Sequence, residues 1–473
     1  MNDKKFKFNI LFNMMYQVLV VIMPLITTPY ISRILGADKI GEYSFAQSIV
    51  SYFIIFATLG SSYYGQRCIA YCKDDILQRS KSFFEILLMR CITTVTMLVL
   101  FYTFIVLQVS NNVLYMIASI EIILVMFDIS WLYQGVEDFK LLTICNGICK
   151  IIGTILIFCF VTDRNHLNRY VLLLLGSALI GHILTWGYLK GKIIIPRSPK
   201  MNIFQHLYPS MKLFVSQVAI QVYTVVDKTM IGVILHSNFE NGYYEQSQKI
   251  IKALLAIVTS IGTVVSSRIA MLWKSGKKEE SYSMIYSSFQ LVFAFAFPMA
   301  VGINIIAHRI VPIYFGDGYE PVIPLLQIFS LLLPAIGASN ILGIQFLIPT
   351  QREKWLTLSV VFGAILNFIL NFFTISWYGA KGAAISSVIA EISIAIVQAI
   401  LLRKELDLKR IFTLGIKYAG LSAIMGIITI FLDSWLSNGI INLIIIVIVS
   451  VATYMIMLLL IKDSLLKIII REK

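Results

Sequence analysis

Runs of 19 or more mostly apolar residues recur from one end of this chain to the other, and no other feature restricts its fold as strongly. Wound as a helix at about 1.5 Å per residue, such a run crosses the roughly 30 Å of hydrocarbon in a bilayer. Fourteen intervals of this kind can be drawn: 9–34, 41–65, 83–108, 112–134, 139–161, 167–189, 207–235, 242–273, 283–306, 321–348, 355–377, 380–402, 414–432 and 439–461. A membrane barrel would instead alternate apolar and polar residues in short strands, and that pattern is absent. With 58% hydrophobic and 14% charged residues over 473 positions, the composition agrees with an all-α polytopic membrane protein of about fourteen transmembrane helices. The opening MNDKKFKF runs into an apolar stretch without a small-residue cleavage site, so the first helix is expected to be retained.

A net charge of +14 would suit a nucleic-acid partner, but the placement of the charges argues otherwise. Of the 39 Lys and Arg residues, 28 fall in one set of alternate loops, six in the other set and five inside helices. The positive-inside rule then puts both termini in the cytoplasm and removes the motive for nucleic acid. The widest gap, 190–206, holds Pro196 and Pro199 and is too short for a globular domain, so the function belongs in the bilayer. The six cysteines, Cys68, Cys72, Cys91, Cys145, Cys149 and Cys159, have no His or acidic partners at metal-ligand spacing and are expected to be reduced thiols.

A weak repeat divides the chain. Gly41, Tyr43, Gln47 and Arg67 recur 201 positions later as Gly242, Tyr244, Gln248 and Arg268, each at the corresponding place in a helix pair. The repeat predicts two pseudo-symmetric six-helix lobes of like orientation, 1–190 and 207–403. A cytoplasmic loop at 191–206 joins them, and an extra two-helix hairpin with a cytoplasmic tail follows at 404–473.

Within this frame the stretch 225–252 stands out, because Asp227, Lys228, Lys249 and Lys252 lie inside or at the mouths of long apolar segments. A charge at the bilayer centre costs on the order of 2.5 to 3.5 kcal/mol by insertion scales, and such residues are commonly functional. Gln217, Gln221, Thr224 and Lys228 share one helical face, as do Glu245, Lys249, Lys252, Thr259, Thr263 and Ser266. Asn9, Asn13 and Gln17, then Gln47, Ser51 and Thr58, form comparable stripes. Stripes of this kind line a polar cavity or bond helix to helix, and the lysines favour a cavity that attracts an anion. Lysines near a helix end can also snorkel, and Glu245 can pair with Lys249 one turn away.

Other ionisable residues inside helices are Glu85, Arg90, Glu121, Asp128, Lys150 and Glu391. Asp128 and Glu391 are candidates for proton or sodium coupling, and pairing within a lobe, Asp128 with Lys150 or Glu85 with Arg90, is the competing expectation. His182 reads as a packing histidine. Pro24, Pro29 and Pro298 should kink or break their helices.

Several stretches together resemble a known family. These are Asp128-Ile-Ser-Trp-Leu-Tyr-Gln134-Gly135 with Glu137-Asp138-Phe139, then Asp227-Lys228-Thr229-Met-Ile-Gly232, then Gly242-Tyr243-Tyr244-Glu245-Gln246-x-Gln248-Lys249-Ile250, and Gly343-x-Gln345 leading to Pro349 and Arg352-Glu353-Lys354. They resemble the polysaccharide repeat-unit flippases of the Wzx type, for O-antigen or capsule, in the MOP superfamily. The resemblance implies two six-helix lobes, a V-shaped cavity and alternating access. It also implies an undecaprenyl-diphosphate-linked oligosaccharide moved from the inner to the outer leaflet of a bacterial plasma membrane, without cofactor or ATP, beside other polysaccharide assembly proteins. Lys228, Lys249, Lys252, Gln217, Gln221 and Gln47 are then the candidate substrate-binding residues. Asp128, Asp227, Glu391, Lys150 and Arg90 are the candidates for ion coupling or pairing within a lobe. No catalytic or metal-binding set is expected. The alternatives are a cation-coupled multidrug exporter of the same superfamily, a membrane polymerase or ligase, and a scaffold for glycan assembly.

Overall fold

The computed structural model describes residues 3–108, 112–194, 201–260 and 262–463. Among them the secondary structure is helical, with one isolated bridge between Lys190 and Ile193. Contacts divide the chain into two compact units, Met1–Gly232 and Val233–Lys473.

The first unit holds α1 (Asp3–Thr58), α2 (Ser61–Tyr71), α3 (Ile76–Gln108), α4 (Asn112–Ala118), α5 (Ile120–Phe127), α6 (Ser130–Gly135), α7 (Phe139–Phe160), α8 (Leu167–Trp186) and most of α9 (Phe204–Leu235). Its core is built by Ile31, Leu35, Val50, Phe101, Ile122 and Val171. A second cluster stacks Trp131 on Phe83 beneath Tyr133. Pro24 and Pro29 do not break α1; its one non-helical residue is Gly36, at φ 76° and ψ 167°. A proline removes the donor to the carbonyl four residues back, here those of Val20 and Leu25, while the nearby hydroxyls bond to other carbonyls of their own helix. Thr27 Oγ1 donates to Met23 O at 3.1 Å, and Ser32 Oγ donates to Thr28 O at 2.7 Å.

The second unit holds α10 (Asn238–Thr259), α11 (Gly262–Lys274), α12 (Lys278–Tyr314), α13 (Val322–Phe329), α14 (Leu332–Asn340), a π-helical segment Ile341–Leu347, α15 (Glu353–Tyr378), α16 (Ala380–Leu402), α17 (Leu408–Trp435) and α18 (Ile440–Leu460). Phe289, Phe293, Phe346, Tyr418 and Tyr454 lie in its core. Helix α12 continues through Pro298 without a break. The hairpin α17–α18 packs on α12. Arg309, read from the sequence as an outer-loop residue, is a buried part of α12 and closes the end of α17. Its guanidinium meets the Asp433 carboxylate and donates to Leu436 O at 2.6 Å and Ser437 O at 2.7 Å. Those carbonyls have no partner inside their own helix, and a cation at a helix C-terminus also opposes the helix dipole favourably.

Each of the fourteen sequence intervals is occupied by helix. Among the described residues, eleven helical stretches are long and apolar enough to cross a membrane, the first of them containing the Gly36 bend. Helices α9, α10 and α11 are outside that set, α10 because it carries Glu240, Glu245, Lys249 and Lys252. The chain is a multi-pass membrane protein.

The repeat is visible in where helices stop. Thr58 ends α1 and Thr259 ends α10, 201 positions apart. The break in the second copy interrupts the polar stripe expected to continue along one helix from Glu245 to Ser266. Beyond it, Ser266 Oγ donates to Ile344 O at 3.2 Å, against the π-helical segment.

Candidate functional site

Lys228 lies half-buried where the end of α9 is docked on α1. Thr229 Oγ1 donates to Ser48 Oγ at 3.0 Å and accepts from Tyr52 OH at 3.1 Å. Gly232 passes so close to the Phe45 ring that a Cβ has no room. Next to Ser48 on α1, Gln47 Nε2 donates to Glu121 Oε1 at 2.9 Å, and Tyr43 OH, one turn back, donates to the same oxygen at 3.1 Å. Gln47 is therefore engaged with an acid, Glu121 of α5, a pairing that the sequence reading did not assign. Asp227, next to Lys228 in the chain, is buried at 4% exposure and acts electrostatically on Tyr52.

In the second unit Lys249 and Glu245 are paired at 3.8 Å, as their one-turn spacing predicted. Lys252 is exposed, one turn further along. Other residues of α10 turn inward: Asn241, Tyr244 and Ser247 are buried, Tyr244 OH lies 3.2 Å from Ser387 Oγ, and its ring meets Phe329 edge-on. Helix α10 thus packs these polar residues and leaves Glu245, Lys249 and Lys252 less buried. The side chains of Gln217 and Gln221, and those of Asn9, Asn13 and Thr263, lie outside the described residues.

The other ionisable groups pair differently from expectation. Asp128 does not pair with Lys150, nor Glu85 with Arg90. Helix α5 ends at Phe127 and α6 begins at Ser130, and this break exposes carbonyls that side chains then satisfy. Arg90, 1% exposed, donates to Asp128 O at 3.0 Å and to Ser62 Oγ at 3.2 Å, and lies 3.6 Å from the Asp128 carboxylate. Trp186 Nε1 donates to Phe127 O at 2.8 Å. His182, expected merely to pack, lies 3.7 Å from the same carboxylate. Lys150 makes no ion pair among the described residues. Glu391 is half-buried on α16.

Glu85 is 1% exposed and collects four contacts from the approach to α9 and from α3 itself. It accepts from Asn202 N and Gln205 Nε2, each at 2.8 Å, meets His206 Nε2 at 2.8 Å and has Lys81 at 4.0 Å. Tyr64 OH completes the set at 2.9 Å from His206 Nδ1. Nothing in the spacing of residues 121 apart could have announced this cluster. Among the described residues no group of three or more His, Cys, Asp or Glu is placed to hold a metal.

Comparison with known proteins agrees with this architecture. A candidate O-antigen transporter of Shigella dysenteriae is 26% identical over 385 residues, covering 79% of this chain and 94% of that protein. Another from Escherichia coli K12 is 23% identical over 78% of this chain and 90% of that protein. Among solved structures, the lipid II flippase MurJ in an inward closed conformation matches with a TM-score of 0.77 at 17% identity, covering 96% of this chain and all of that one. An inward-facing multidrug resistance MATE transporter of the MOP superfamily matches with a TM-score of 0.59 at 10% identity, covering 83% and 98%. These relatives and neighbours are named transporters or flippases, not enzymes. Residues 6–273, more than half of the chain, match the family described as polysaccharide biosynthesis protein, and the chain belongs to that family.

Proposed function

We propose that this protein is a flippase of the bacterial plasma membrane, with both termini in the cytoplasm, that moves undecaprenyl-diphosphate-linked oligosaccharide units from the inner to the outer leaflet by alternating access. The observation that carries the reading is Lys228, half-buried on the stretch of α9 that Thr229 ties to Ser48 and Tyr52 of α1. A diphosphate makes strong charge-assisted hydrogen bonds to its ammonium where water is scarce, and amides such as Gln47, Gln217 and Gln221 suit sugar hydroxyls. Lys249 and Lys252 supply further positive charge on the less buried face of α10. Binding that differs between the two open states drives the exchange between them. The kinship with candidate O-antigen transporters supports the substrate class.

The test is removal of the protein from its host. Lipid-linked oligosaccharide should accumulate on the cytoplasmic leaflet and return to normal when the wild-type chain is restored. A charge-assisted contact is worth about 1.5–3 kcal/mol, so each of Lys228→Ala, Lys249→Ala and Lys252→Ala should lower export by about tenfold or more. Undiminished export with all three lysines replaced would sink the cationic site.

A further inference from the structure

Trp273, in the last turn of α11, carries two cations on one indole. Lys278 Nζ, from the first turn of α12, lies 5.3 Å from the ring centroid, and the Arg352 guanidinium, just before α15, lies 5.4 Å from it. The ring is braced from the inner side by edge-on contacts with Phe346 at 5.7 Å and Tyr282 at 6.2 Å. The two cations differ in what else they meet. Arg352 is paired with the Glu405 carboxylate, to which Tyr282 OH also donates at 3.5 Å. Lys277, next to Lys278, is paired with Glu280 at 2.8 Å. Lys278 is exposed and makes no ion pair among the described residues, so the indole face is its stated partner. In the same turns and in the approach to α17, the exposed Lys274, Lys354, Arg403 and Lys404 outnumber the exposed Glu279 and Glu353. An apolar strip adjoins this charged end. Met271 on α11 is 63% exposed, and Ile344 and Ile348, at the π-helical segment against which α11 packs, are 44% and 40% exposed.

We infer that Trp273 and Lys278 form a headgroup site for an anionic phospholipid, with its acyl chain on the strip of Met271, Ile344 and Ile348. An exposed cation–π contact is weak, whereas a phosphate oxygen gives an ammonium a charge-assisted hydrogen bond. The indole presents an apolar body to the acyl chain and an N–H donor to the headgroup, which is why tryptophan gathers at membrane interfaces. Arg352, already neutralised by Glu405, holds the ring rather than the lipid. A glycerol headgroup leaves the phosphate charge uncompensated and suits the surplus of cations, while a choline headgroup brings a cation of its own to them. The topology proposed above puts this end of the second unit at the cytoplasmic leaflet; the headgroup chemistry does not depend on that topology or on the substrate.

The experiment titrates the full detergent-solubilised chain with phosphatidylglycerol and with phosphatidylcholine of the same acyl chains, and reads the first bound lipid by native mass spectrometry. Wild type should bind phosphatidylglycerol at least fivefold more tightly. Lys278→Gln should lose about fivefold in phosphatidylglycerol affinity, the effect of one lysine on an anionic headgroup, with phosphatidylcholine affinity unchanged. Trp273→Phe keeps a ring against Phe346 and Tyr282 but lacks the N–H, and should also lower phosphatidylglycerol affinity. Lys278→Arg should retain the preference. Lys277→Gln, which removes a lysine already paired with Glu280, should bind as wild type does. Unchanged phosphatidylglycerol binding by Lys278→Gln overturns the site, and an equal loss in Lys277→Gln reduces it to general surface charge. Displacement of the lipid by equimolar glycerol 3-phosphate overturns the lipid as occupant in favour of a free phosphate. None of these outcomes bears on the flippase reading, which glycan export tests separately.

Discussion

The Glu85 carboxylate and the His206 imidazole meet at 2.8 Å, and this contact ties the first turn of α9 to α3 across 121 residues of sequence. Tyr64 on α2 holds the other ring nitrogen, and Ser210 Oγ, one turn further along α9, donates to Leu59 O at 2.6 Å. Residues 204–232 are grouped with the first unit, although the repeat places the joint between lobes before them. Side-chain bonds at both ends of that segment, at His206 and at Thr229, tie it to α3 and α1.

Replacing one partner of this contact should hurt more than replacing both. Glu85→Ala or His206→Ala leaves a buried polar group without its partner, which costs about 1–3 kcal/mol, and more if the pair is charged. The double variant should be less destabilised than the sum of the singles. Thermal unfolding of the detergent-solubilised protein, analysed as a double-mutant cycle, measures the coupling.

Arg90 should resist conservative replacement. Its guanidinium serves Asp128 O, Ser62 Oγ and the Asp128 carboxylate together, and an ammonium on a flexible stem does not reproduce that planar geometry. Arg90→Lys is expected to lose stability and Arg90→Ala to lose about 1–3 kcal/mol, because the Asp128 carbonyl and carboxylate lose a buried donor while the carboxylate keeps Ser130 N and His182. Fluorescence-detected size exclusion after a heating series provides the ranking.

Two glycines should not tolerate a methyl group. Gly60 has φ 73°, and a Cβ there would stand 2.6 Å from Ser210 O, which is backbone and cannot rotate away. Gly60→Ala combines backbone strain with overpacking, at about 1–3 kcal/mol for the latter. Gly232→Ala meets the Phe45 ring, so the companion variant Phe45→Ala should partly rescue it. Gly276, where an added methyl would meet nothing within 4 Å but φ is 73°, serves as the control for strain alone.

The α17–α18 hairpin depends on Arg309. Removing the guanidinium in Arg309→Ala takes a donor from Asp433 and from the carbonyls of Leu436 and Ser437, leaving Asp433 with His308 at 3.4 Å and Ser437 O with Asn442 Nδ2 at 2.9 Å. The end of α17 should fray, and limited proteolysis should cut near residues 436–439 at least tenfold faster, which corresponds to about 1.4 kcal/mol of local stability. Cleavage at the wild-type rate would count against the capping role.

Much of this architecture follows from the chain alone. Hydrocarbon accepts a backbone only when its polar groups are bonded internally, so apolar runs of membrane length are helices, and all fourteen intervals are helical. The one-turn spacing of Glu245 and Lys249 was enough to pair them, and the 201-residue repeat recurs in where α1 and α10 end. Partner choice across helices was not legible. Asp128 takes Arg90 and His182, Glu85 takes His206, and Glu121 takes Gln47 and Tyr43, because packing in three dimensions sets which side chains share a depth and a face. The same holds for the prolines. Composition marks a missing donor, but in α1 the bend falls at Gly36, where the backbone can adopt positive φ without a Cβ in the way.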